Sequence, residues 1–226
     1  MRVVSRNSWP GGSVQAAVAA GLFLALASGR SVEAIVLTFE PTTKNFQPTD
    51  QAYGDRVTAA SQNGFEYGPA WGFTPNITVA YGPGSVAEPC QWTVGYADLV
   101  GVLFENNDGW GILEITLSAD LGTLVELIHF DMAAYSQVGP IRNLRVSNAA
   151  GDVLFEESDL LVPHVGHASF PFDPPLVGRA LMIRIDSGNL ASRSDDIGID
   201  NITFRQAASP TASSPETWSR IKSLYR

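Results

Sequence analysis

The feature that most constrains this chain is a succession of short runs in which apolar and polar residues alternate, each closed by Gly, Pro, Asn or Asp. Alternation with a period of two places one face of an extended strand in a core and the other toward water, whereas a helix needs a period of 3.6. Such runs are Ile35 to Phe39, Asn76 to Tyr81, Leu99 to Phe104, Gly111 to Leu117, Thr123 to Phe130, Ala168 to Phe172, Arg179 to Asp186 and Ile197 to Phe204. Between Ile141 and Glu157 two further runs flank Asn148-Ala149-Ala150-Gly151-Asp152, whose Asn and Gly suit the backbone angles of a hairpin turn. Roughly ten strands in one domain, with no internal repeat, predict an all-β chain folded as an antiparallel β-sandwich.

The ends are different. Arg2 and Arg6, the apolar stretch Ala16 to Ala27 and the small-residue site Val32-Glu33-Ala34 read as a signal peptide over residues 1–34, so the chain is expected to be exported, either secreted or held in the cell envelope. That stretch is too short to span a bilayer, and nothing later approaches a span. The sandwich is expected over 35–206. A Pro/Ser linker follows over 207–216, then a basic tail over 217–226 in which Trp218, Ile221 and Leu224 fall at helical spacing. Ten residues do not make a stable helix in water, so the tail is expected to order against a partner such as a sorting receptor.

Cleavage after Ala34 removes three of 14 basic and one of 23 acidic residues, leaving 11 against 22 and a net charge of −11. A surface this acidic repels phosphate backbones, and no basic stripe interleaved with aromatics offsets it, which excludes nucleic acid as a partner. Cys90 is the only cysteine; no intrachain disulfide can form, and Cys90 reads as a small buried apolar residue. The core alone must hold the fold, and about 170 residues are enough for one.

The segments Tyr53 to Ala59 (YGDRVTA), Gly72 to Gly82 (GFTPNITVAYG), His129 to Ser136 (HFDMAAYS) and Gly198 to Phe204 (GIDNITF) resemble bacterial secreted proteins of the PEP-CTERM-associated type. The jelly-roll domains of that group are similar to galactose-binding and other carbohydrate-binding modules. An LTFE opening (Leu37 to Glu40) with an IDN closing strand is also similar to other jelly rolls, including the MAM type. The chain departs from the PEP-CTERM pattern after Ser214-Pro215-Glu216, where no apolar span follows.

The resemblance implies a jelly roll with a structural calcium where first and last strands run side by side. Hard cations need several oxygens. Carried over residue by residue, Glu40 and Asp200 are the expected ligands, with Asp55 and Asp131 as further candidates. No EF-hand or nonapeptide calcium loop accompanies them. The other expectation is an extracellular polysaccharide or surface component, since a flat ring buries the apolar face of a sugar while amides and carboxylates take its hydroxyls. Trp71, Trp92 and Trp110 are flanked by turn residues, and Asn107 and Asp108 lead into Trp110. Tryptophans so placed also serve as plugs at the ends of a sandwich core, and exposure separates the two readings.

Catalysis has less to stand on. Glu105, Asp108 and Glu114 contain a carboxylate pair of the kind glycosidases use, but acidic chains offer such pairs by chance. His164 and His167 form an HxxH and His129 lies two residues before Asp131, yet zinc needs a third ligand that local spacing does not supply. There is no nucleophile elbow, phosphate-binding Gly-rich loop or dinucleotide fingerprint. The sequons at Asn76 and Asn201 fall inside predicted strands and read as β-forming sequence. The expected function is a non-catalytic binding module, with a tail-sorted structural protein and a secreted hydrolase as the alternatives.

Overall fold

A computed structural model describes residues 33–39, 46–67, 71–82, 89–105, 111–188 and 196–209. In chain order the strands are β1 (Ile35–Leu37), β2 (Gln47–Pro48), β3 (Ser61–Gln62), β4 (Phe65–Glu66), β5 (Ile77–Gly82), β6 (Cys90–Trp92), β7 (Val102–Phe104), β8 (Ile112–Ala119), β9 (Thr123–Ala134), β10 (Gly139–Asn148), β11 (Val153–Val162), β12 (Ala168–Gly178), β13 (Ala180–Asp186) and β14 (Ile197–Ala208). The chain is all-β and every pairing is antiparallel, as the alternation predicts. Among the described residues fourteen strands replace the ten expected because β2, β3, β4 and β6 are two or three residues long, too short for a period of two to register. Among the described residues no helix is long and apolar enough to cross a membrane.

Two sheets make the sandwich. The larger runs β12-β9-β14-β7-β6-β2, with β1 also on β14; the smaller runs β11-β10-β13-β8-β5; β3 and β4 form a separate pair. Leu113, Ile115 and Leu117 on β8, with Leu181, Ile183 and Ile185 on β13, face Val125, Leu127, Phe130, Ile199 and Phe204 of the larger sheet in one continuous buried cluster. Each such side chain removed from water stabilises the fold by about 1.5–3 kcal/mol. The hairpin falls where it is expected: Asn148 Oδ1 accepts the amides of Ala150 and Asp152, and Gly151 turns at φ 85°.

The YGDRV segment is pinned to the core by three buried tyrosines. Tyr53 Oη accepts the Phe39 amide, Tyr67 Oη accepts the Gly54 amide, and Tyr81 Oη donates to the Tyr53 carbonyl. Asp55 within it and Gln51 just before it close the outer edge of β5. Asp55 Oδ1 accepts the Val79 amide, while Gln51 exchanges two hydrogen bonds with the Tyr81 backbone, so side chains take the place of a missing strand.

Two irregularities set what the larger sheet shows to the outside. Thr203 pairs with His129 but Phe204 with Leu127, leaving Ile128 as an extra residue on β9. Asp200 pairs with Asp131 and Thr203 with His129, which places an extra residue on β14 at Asn201, whose φ is 53°. Each bulge shifts the alternation by one. Val125 and Leu127 point inward before the first bulge, Phe130, Met132 and Ala134 after it, so His129, Asp131 and Ala133 occupy the outer face.

Candidate functional site on the outer face of the larger sheet

The first and last strands are neighbours: Ile35, Val36 and Leu37 pair with Phe204, Thr203 and Ile202. Next along the ladder Asp200 and Asp131 stand directly opposite, 3% and 5% exposed. Two like charges so placed repel, and Asp131 is held by a set of donors that offsets this. Ser169 Oγ donates to Asp131 Oδ1 at 2.7 Å from the neighbouring β12, and Asn201 Nδ2 donates to Oδ2 at 2.9 Å. His129 Nε2 lies 2.9 Å and His167 Nε2 3.6 Å from Oδ1. His167 Nδ1 faces both oxygens of Asp98 at 3.0 and 3.1 Å. A polar chain therefore runs from Asp98 through His167 to Asp131 and His129.

Burial alone would raise the Asp131 carboxyl above the ordinary carboxylate range. The hydrogen bonds from Ser169, Asn201 and His129, together with the His129 charge, outweigh it and hold the group lower. With the folded value below the unfolded one, this stability is fully present above about pH 4 and is lost as pH falls through the folded value. The stability advantage of the wild-type chain over Asp131→Asn, read from urea midpoints, is expected to shrink as pH is lowered below about 4; an advantage that grows on acidification contradicts the assignment.

Of the four expected calcium ligands, the fold thus brings Asp131 and Asp200 together. Asp55 is spent on the β5 edge, and Glu40 lies outside the described residues. The Asp131 oxygens are turned to hydrogen-bond donors, and among the described residues no three His, Cys, Asp or Glu side chains are set to hold a metal ion. Asp131 and Asp200 are the two expected ligands that the described residues bring together, fewer than the at least six oxygens a calcium shell takes. His167 joins the Asp131 chain whereas His164 is exposed in the loop before β12. Of the carboxylates weighed for catalysis, Glu105 is buried after β7, and Glu114 lies in the other sheet, where Arg184 Nε donates to it at 3.1 Å. Asp108 lies outside the described residues.

Two residues further along β9, at Ala133, the same outer face becomes aromatic. Cys90, Tyr96, Leu99, Val102, Phe104 and Ala133 form a second buried cluster, with Trp92 packed on it. Tyr96 fits there because Gly198 is beneath it: a Cβ at 198 would stand 2.6 Å from Val102 Cγ2 and 2.8 Å from Tyr96 Cδ1. Trp92 is half-buried and meets Phe46, Phe104 and Tyr135 edge to face, with centroids 4.5, 6.0 and 5.7 Å away. Tyr135 also leans on Tyr96 at 5.4 Å, and Gly95 gives its ring room. Phe46 and Tyr135 reach solvent at 54% and 37% exposure, and the Trp92 indole Nε1 is buried with no hydrogen-bond partner among the described residues. The segment carrying Tyr96 also carries Asp98, so the aromatic corner and the polar chain are continuous.

Trp71 takes the plug role, half-buried against the main core. Asn107, Asp108 and Trp110 lie outside the described residues. Phe46, Tyr96 and Tyr135 were not singled out by sequence; the signal available was the clustering of Trp92, Tyr96 and Phe104 within one short stretch.

No family model and no curated protein matches the chain. Among solved structures it is similar to an arabinose-bound α-L-arabinofuranosidase, with 13% identity and a TM-score of 0.40 over 77% of this chain and 27% of that one. It is also similar to the enzymatically active domain of tailspike protein 4 of bacteriophage CBA120, with 16% identity and a TM-score of 0.27 over 58% of this chain and 19% of that one. The chain spans about a quarter of the first of these proteins and about a fifth of the second.

Proposed function

We propose that this chain is an exported, non-catalytic β-sandwich that binds an extracellular neutral polysaccharide at the aromatic corner of the larger sheet. The observation that carries the reading is the pair Trp92 and Tyr135, overlain by the exposed Phe46, beside Asp98 and His167. An aromatic face next to hydrogen-bonding side chains matches a sugar, which has one apolar face and a rim of hydroxyls. A neutral glycan is favoured over an anionic one because the chain carries a formal charge of −9 and the corner adjoins Asp98. Export is supported by residues 1–34, and the resemblance to carbohydrate-binding modules points the same way.

Tyr135→Ala tests the reading, since the side chain is partly exposed and lies outside the main core. Binding on an array of neutral glycans is expected to weaken about tenfold, the loss of one stacking ring. Wild-type and variant chains that bind equally well would place any glycan elsewhere.

A further inference from the structure

We infer that the Trp92 indole N–H is the donor by which this site reads an acceptor oxygen of its ligand, and that Phe46 is the cover that moves to admit it; the inference rests on the carbohydrate reading above. A buried donor without an acceptor is rare in folded proteins because desolvation is then uncompensated. The Trp92 indole is in this state, and Phe46, Phe104 and Tyr135 present it with ring atoms. Phe46 is the nearest of the three and the most exposed. Its backbone is at φ 59°, in the left-handed region that a bulky side chain rarely adopts. Strain of this kind persists where the surroundings impose it and gathers at ligand clamps. Movement of the Phe46 ring off Trp92 would open the indole N–H, and release of the positive φ in the same movement would relieve the strain. The ligand class is a neutral pyranoside that stacks on Tyr135 and offers a ring, glycosidic or hydroxyl oxygen to the indole.

The test is an indole ¹H–¹⁵N spectrum of the whole chain, with the Trp92 signal assigned by its absence in Trp92→Phe, titrated with xylo-, cello- and malto-oligosaccharides. On binding, the Trp92 indole proton is expected to move downfield more than the other indole protons. Trp92→Phe is expected to bind about tenfold more weakly, with a melting temperature close to that of the wild type. Phe46→Ala is expected to bind about threefold faster, because the competent state no longer waits on the ring. An oligosaccharide that binds without moving the Trp92 signal, or that Trp92→Phe binds equally well, overturns the donor role and leaves the carbohydrate reading standing. A loss in Phe46→Ala as large as in Trp92→Phe makes Phe46 part of the platform and overturns the cover. If no oligosaccharide binds either protein, the carbohydrate reading falls, and this inference with it.

Discussion

Phe130→Ala is expected to lower stability by about 3–5 kcal/mol, read as a fall in the urea midpoint at unchanged slope. The ring is fully buried and packs on Phe170 and Phe172 with centroids 5.1 and 5.8 Å away. Its removal costs the transfer of the ring from water together with the cavity left between the sheets. The size of the effect also tests the bulge at Ile128. Had β9 continued its alternation from Val125 and Leu127 without the extra residue, His129 and Asp131 would point inward and Phe130 outward. A loss under about 1 kcal/mol is what an outward Phe130 would give.

Asp131→Ala is the second large effect, at about 2–4 kcal/mol, because Ser169, Asn201 and His129 all lose the acceptor they are aimed at. One term runs the other way. Removing Asp131 relieves its repulsion with Asp200 across the ladder, a gain of about 0.2–1 kcal/mol that does not cancel the loss. A double-mutant cycle with Ser169→Ala separates the two, since the coupling term contains only the hydrogen bond. If Asp131→Ala is neutral, the donors find other partners and the polar chain is not a structural unit.

Much of the fold was legible in the sequence, and the reasons are local. On β8 and β13 every second residue is apolar and every pairing regular, so the period of two survives intact. The hairpin at Asn148 was legible because Asn, Gly and Asp act on their own backbone. The neighbourhood of LTFE and GIDNITF came with the resemblance rather than from any pattern. The site was less legible because it is assembled by irregularity and distance. Ile128 is an ordinary β-forming residue, and nothing in it announces that it will be skipped. Asn201 is the exception: Asn tolerates positive φ, and Asp-Asn inside an apolar run is a bulge signal that can be read. Asp98, His167 and Asp131 sit more than thirty residues apart, and only the order β12-β9-β14-β7 brings their segments together. That is where a partner for His129 and His167 came from, across strands rather than along one. Trp71 and Trp92 looked alike in sequence because both adjoin turns; what separates them is that Trp71 packs on the main core and Trp92 on the outer cluster.

Electrophoresis of the purified chain through gels containing a dissolved neutral polysaccharide tests the central claim most directly. The account predicts retarded migration in at least one of xylan, a β-glucan or a starch-type glucan, with the retardation largely abolished in Tyr135→Ala. Unretarded migration of the folded wild-type chain in every such gel would contradict it.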